Sequence, residues 1–403
     1  MTQFEVFQPD FDTTNYFIVT YYLSSTKSVE DAAWNLAIGQ SVGNPNVRNA
    51  WESDELFAKH SCIVLAERGS KKLQKKSGIV KIAFPLANIN FASDGISQFL
   101  CHIMGGQLDI DSIVKCHVLD VDFPKVVLKN FLGPKFGIQG IRKFTKVYDK
   151  PLLGGIVKPK VCMNEDILLD LVKALVDGGV NFIKEDEIMA DPECCPLERR
   201  VPKISKYLED KNVVYCFCIN SDPDMILRRV QFVHDNGGNG VHVNFWSGLG
   251  VYNSVRKTNY PLFLHFQKSG DKIFTSKKHA FHIDWKVVCK LAGMMGADFI
   301  HNGMLGGYSS TDENELEESI AILQSHGTMP ALSCGMHPGL VEYIRGRLGN
   351  DLLLNTGGAI HGHPGGTVDG ARAMRQAIDR RPAAEYEIAI KTWGMFDSLG
   401  QVK

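Results

Sequence analysis

The chain lacks an apolar run of membrane-spanning length, a block of lysine and arginine, and a paired C-x-x-C motif. The first lack excludes an α-helical span, which needs about 20 consecutive apolar residues. The second removes the electrostatic footprint of a nucleic-acid binder, since 44 basic residues against 45 acids leave a net charge of −1. The third removes the usual spacing for structural zinc. Residues 1–12 are acidic and polar, unlike a secretory leader. The ten cysteines are scattered through strand-like runs, as at Cys216, Cys218, Cys289 and Cys334. Cys194 and Cys195 are adjacent, too close for an easy bridge. Such usage reads as free thiols buried in a reducing cytosol, so the expectation is a cytoplasmic protein with no nucleic-acid or membrane partner.

What is present is ordinary for a soluble globular chain: 403 residues, 44% hydrophobic and 22% charged. The length suits two or three domains, or one barrel with an extension. Up to about residue 124 the pattern is mixed. It predicts strands at 16–23, 62–67, 78–84 and 113–121 and helices at 28–39 and 93–104. Residues 120–146 read as a connector. After it, short apolar strands alternate with amphipathic helices: 153–158, 180–186, 213–220, 240–245, 261–265, 298–302, 330–333 and 352–356. Eight such units argue for a (β/α)8 barrel, and no G-x-G-x-x-G follows the first of them to favour an open dinucleotide-binding sheet. The expected fold class is α/β, an N-terminal α+β (ferredoxin-like) domain over 1–130 followed by a TIM barrel over 131–403.

The richest stretch is Gly179-Val180-Asn181-Phe182-Ile183-Lys184-Glu185-Asp186-Glu187. An apolar strand runs into a lysine and three acids where it leaves the core. Crowded charges there are costly unless something organises them, and a hard cation such as Mg²⁺, which prefers oxygen ligands, is the usual organiser. Asp186 and Glu187 supply oxygens. Lys184 as an ammonium cannot, so it is either a counter-charge or chemically modified. A solvated charge cluster at a loop is the plain alternative.

Barrel chemistry sits at the carboxyl ends of strands. The ends here are Lys158, Lys184 with Asp186 and Glu187, Asn220, Asn244, His265, His301, Ser333 and Gly357-Gly358. Lys158, followed by Pro159-Lys160, is a candidate base in a desolvated mouth, or half of a solubilising pair. Gly335, Gly357 and Gly358 offer backbone N–H groups to a phosphate, or are turn glycines. His265 and His301 suit a phosphate or a proton, or are satisfied structural groups. His361 and His363 read as loop structure.

On these residues the chain resembles the RuBisCO large-subunit superfamily, specifically its RuBisCO-like branch. The matching blocks are 154–160, 178–187, Phe299-Ile300-His301, Ser333-Cys334-Gly335 and 355–364. Gly133-Pro134-Lys135-Phe136-Gly137 and Gly335-Met336-His337-Pro338-Gly339 look like the diketo-methylthiopentyl-phosphate enolases of methionine salvage. The resemblance implies that Lys184 is carbamylated by CO₂ and ligates Mg²⁺ beside Asp186 and Glu187. It implies that Lys158 is the acid–base group near the enolate. His301 and Ser333 would hold one phosphate or the far end of the substrate, and Gly335, Gly357 and Gly358 would cradle the other phosphate. Lys160, His265 and Lys268 would also face the phosphorylated substrate. It further implies a homodimer or larger homo-oligomer in which the partner's N-terminal domain completes the site.

The departures carry as much information. The loop after strand 6, where a carboxylating enzyme has a lysine, reads Gly303-Met304-Leu305-Gly306-Gly307-Tyr308. The H-x-H-R block reads His265-Phe266-Gln267-Lys268, with Lys268 at the arginine position. Gln40 stands where a partner-facing acid is expected, and Met104-Gly105-Gly106-Gln107 has neither the metal-proximal asparagine nor the lysine base of the salvage enolases. The implied activity is Mg²⁺-dependent enolization of a phosphorylated keto-sugar or sugar acid, ending in tautomerization, isomerization or decarboxylation. Alternatives are an authentic ribulose-bisphosphate carboxylase, a methionine-salvage enolase, a Schiff-base aldolase, and a non-catalytic phosphosugar-binding protein.

Overall fold

The computed structural model of the chain describes residues 4–161, 163–308 and 311–396. In chain order its strands are β1 (Tyr16–Ser25), β2 (Ile63–Val64), β3 (Ser77–Pro85), β4 (Ile113–Asp122), β5 (Leu152–Ile156), β6 (Phe182–Lys184), β7 (Val214–Cys218), β8 (Gly240–Asn244), β9 (Phe263–Gln267), β10 (Phe281–Ile283), β11 (Phe299–Gly303), β12 (Met329–Leu332) and β13 (Leu353–Thr356). They divide between two compact units, 1–131 with 270–291, and 132–269 with 292–403.

The first unit is built on an antiparallel sheet in the order β4-β1-β3-β2. Strict alternation along β1 turns Phe17, Val19, Tyr21 and Leu23 into the core. The helix Val29–Gly39 starts at Ser28, whose hydroxyl accepts from the Asp31 N–H. Phe17 stacks on Phe84 and meets Phe99 of the helix Gly95–Ile103 edge-on, joining the sheet to that helix. This strand order with its two helices is the expected ferredoxin-like arrangement. The sequence pattern gave no sign of β10. This three-residue strand lies far along the chain and pairs in parallel with the edge of β4.

The second unit is a closed barrel of eight parallel strands, β5 to β9 followed by β11, β12 and β13, which pairs back onto β5. All eight expected barrel strands are present. Its floor is apolar: Leu152, Phe182, Val214, Phe263, Phe299, Met329 and Leu353 pack together there. The expected connector contains a helix, Gly137–Thr145, whose Ile138 and Ile141 pack into that floor. Pro134, Gly137 and Gly140 masked it as loop. The two glycines before β6 have separate reasons. A Cβ on Gly178 would collide with Ala371, and Gly179 sits at φ +89, the left-handed region that turns the chain into the strand.

Candidate functional site

A cavity of about 460 Å³ opens at the carboxyl ends of the barrel strands. Side chains alternate along a strand, so Phe182 faces the barrel floor and Lys184, two residues on, reaches the mouth. Lys158, Lys160, Lys184, Asp186 and Glu187 converge on one wall of the cavity. Lys158 Nζ lies 2.7 Å from Asp186 Oδ2, Lys160 Nζ 3.8 Å from Asp186 Oδ1, and Lys184 Nζ 3.5 Å from Glu187 Oε2. Burial raises the Glu187 carboxyl, but the Lys184 ammonium and the Ser269 hydroxyl outweigh it and hold that group at about 2.

Glu185 turns the other way. It is fully buried and takes two hydrogen bonds from Arg200, Nε at 2.8 Å and Nη2 at 2.9 Å. The Tyr215 hydroxyl and the Cys218 N–H also donate to it, at 3.1 and 2.7 Å. This network fixes the backbone that presents Asp186 and Glu187. Removing one partner of such a pair strands a buried charge, so Arg200→Met should lower unfolding stability by about 3–5 kcal/mol. Chemical denaturation checks this, and a loss under about 1 kcal/mol would count against it. The asparagines at the next two strand ends brace the same segment: Asn220 Nδ2 donates to the Glu187 carbonyl at 2.6 Å, and the Asn244 N–H donates to Asn220 at 2.7 Å.

His301 and Ser333 form a second wall, with Ser333 Oγ 2.7 Å from His301 Nε2. Burial, then the nearby Lys268 ammonium, press His301 down to about 3, so its imidazole is neutral near pH 7. Gly335 sits at φ +108, and a Cβ there would come within 2.8 Å of the Tyr308 nitrogen, so the loop after β11 folds closely over it. Gly357 and Gly358 line the cavity, and a Cβ at Gly358 would meet nothing within 4 Å. The backbone at Gly358 is therefore open to the cavity.

Two expected substrate-binding residues are not in the cavity lining. β9 runs two residues past its expected end, so Gln267 occupies the mouth and His265 lies one layer below. His265 is fully buried, with its ring 5.6 Å from Phe182 and 5.9 Å from His242, and is absent from the cavity wall. Lys268 is also absent from the wall; its Nζ donates to the Asn302 carbonyl at 2.9 Å. The alternation of β9 could have found Gln267, whose Nε2 donates to Glu187 at 3.3 Å and to Ser269 at 2.6 Å. His361 and His363 are structural, bonded to the Ile156 and Glu385 carbonyls. In the first unit, Gln40 donates to the carbonyls of Cys101 and His102 and accepts from the Gln107 N–H, so two of the departures noted above touch.

Among the described residues no group of three or more histidine, cysteine, aspartate or glutamate side chains is gathered for a metal. Asp186 and Glu187 are two carboxylates, and Asp186 Oδ1 is buried without a hydrogen-bond partner. Three ammonium groups stand around these acids. A carbamate on Lys184 would add a third anionic oxygen donor beside them. The residues therefore fit a hard oxygen-seeking cation only with that modification.

The family model for the ribulose bisphosphate carboxylase large chain, catalytic domain, matches residues 137–388. The chain is 30% identical to the 2,3-diketo-5-methylthiopentyl-1-phosphate enolase of Geobacillus kaustophilus, over 94% of this chain and 98% of that one. It is 31% identical to the 3-oxo-isoapionate-4-phosphate decarboxylase of Rhizobium etli, over 89% and 91%. The crystal structure of the octameric ribulose-1,5-bisphosphate carboxylase/oxygenase of Pyrococcus horikoshii OT3, a complex with sulfate, superposes with a TM-score of 0.85 at 26% identity, covering 96% of this chain and 93% of that one.

Proposed function

Because the chain belongs to the ribulose bisphosphate carboxylase large-chain family, we propose that it enolizes a phosphorylated keto-sugar or sugar acid with the help of Mg²⁺, without fixing CO₂. The product arises by tautomerization, isomerization or decarboxylation. One observation carries this reading: Lys184, Asp186 and Glu187 share a cavity wall with Lys158. The free amine of Lys184 would add to CO₂, forming a C–N bond and releasing one proton, and the resulting carbamate would hold the cation together with Asp186 and Glu187. Bound there, Mg²⁺ supplies the positive charge that lowers the cost of an enolate. Lys158 moves the proton at the substrate carbon once its partner Asp186 is engaged elsewhere. Lys160 and the N–H groups of Gly335, Gly357 and Gly358 hold the phosphate, and His301 with Ser333 holds the far end. His265 and Lys268 are given no direct contact in this assignment, since neither lines the cavity, although Lys268 lies close to His301.

The loop Gly303-Met304-Leu305-Gly306-Gly307-Tyr308 supports chemistry other than carboxylation, as it contains no lysine. Two relatives carry enolase and decarboxylase names, which supports an enolate as the common step. The octameric assembly of the structural neighbour supports a homo-oligomer here; in this reading the enzyme is cytoplasmic and the partner's N-terminal domain completes each site. Lys158→Met tests the proton transfer. Exchange of solvent deuterium into the α-carbon, followed over a panel of ketose phosphates and 3-oxo sugar-acid phosphates, should slow by about 10²-fold or more. Unchanged exchange would remove Lys158 from that role.

A further inference from the structure

We propose that Trp393 is a substrate-contacting residue, and that its indole is the surface on which the uncharged carbon chain of the ligand rests. This rests on the enolization reading above and assigns part of the specificity to the C-terminal end of the chain. The cavity lining combines two chemistries. Lysines and acids make one, while Met336, Ala359 and Trp393 contribute apolar surface. Trp393 alone among these comes from beyond the barrel, as the last residue of the helix Ala384–Trp393.

Its position is fixed from several sides. Gly394, at φ +78, ends the helix and turns the chain. The Phe396 N–H then donates to the Gly339 carbonyl at 3.1 Å. The two backbones are so close that a Cβ on Gly339 would collide with the Gly394 carbonyl. The Phe396 ring lies 5.7 Å from that of His337, and its Cε1 would be 3.3 Å from a Cβ on Gly306. The turn thus holds the loops after β11 and β12, and both loops line the cavity. The Trp393 ring also lies 6.4 Å from that of His363, whose two nitrogens are already bonded, one to the Glu385 carbonyl and one to the Gly365 N–H.

Packing alone does not account for this side chain. Trp393 is only half-buried, and among the described residues its indole N–H makes no hydrogen bond. By contrast the Trp34 N–H donates to the Pro45 carbonyl. A rigid aromatic side chain with a spare donor at its edge, in the lining of a charged cavity, suits the C–H face of a sugar-like chain whose phosphate and carbonyl are held by the charged residues.

The test uses the full-length protein with Mg²⁺ and bicarbonate, titrated with 6-phosphogluconate as a phosphorylated sugar-acid probe. Calorimetry gives the affinity, and tryptophan emission reports on the indole. Wild-type emission should change on binding. Trp393→Phe should lose most of that change while keeping its affinity within about threefold, and Trp393→Ala should bind about tenfold more weakly or worse. The phenylalanine variant carries the test if the alanine variant fails to fold. Binding to the wild type with the emission change retained in Trp393→Phe, or with Trp393→Ala as tight as wild type, would overturn the proposal and leave the enolization reading intact. Failure of the wild type to bind either 6-phosphogluconate or inorganic phosphate would overturn both.

Discussion

Asp186→Asn is expected to cost roughly a thousandfold or more in kcat/KM, equivalent to about 4 kcal/mol of transition-state stabilisation. Glu187→Gln should cost a similar amount. Each change keeps the shape and removes one anionic oxygen from a site that begins with only two carboxylates. The fold should survive both changes, since the buried Arg200–Glu185 pair that shapes this segment is untouched. Proton exchange into a ketose phosphate at saturating Mg²⁺ checks the activity, and thermal melting checks the fold. Turnover within about tenfold of wild type would show that the two acids do not hold the cation.

The second large effect is expected at Lys184. Lys184→Met removes the amine that would carry CO₂ and should abolish activity to a comparable degree. Its effect on folding should be small or favourable, because Lys184 is 2% exposed and methionine fills similar space without a buried charge. The combination separates this lysine from a structural counter-charge, whose loss would leave Asp186 and Glu187 able to bind the cation directly. A ¹³C-labelled bicarbonate experiment should show a carbamate resonance in the wild type and none in Lys184→Met. Retained activity in the variant would contradict a carbamate ligand.

Period and strand ends made most of this architecture legible in the sequence. The eight barrel strands were visible because each is a short apolar run closed by a polar residue or glycine, and buried parallel strands need that pattern. The convergence of Lys158, Asp186 and Glu187 followed once the strands were placed, because topology brings their ends together. What stayed hidden depended on register or on long-range partners. Expecting strand 5 to stop at His265 put the wrong residue at the mouth, and a two-residue extension replaced it with Gln267. Nothing local marked Glu185 as different from the next two acids, since its partner Arg200 lies 15 residues on, in the helix Leu197–Leu208. β10 is too short to show a period, and its pairing partner β4 lies more than a hundred residues earlier. No local pattern marks Trp393; the close approach of Gly394 to Gly339 brings the end of its helix to the cavity.

The most direct measurement is calorimetric titration of the purified protein with Mg²⁺, with and without dissolved CO₂. A carbamate-built site predicts saturable binding that needs CO₂, and that disappears in Lys184→Met and in Asp186→Asn. Binding of equal strength in the absence of CO₂, or no binding under either condition, would contradict it.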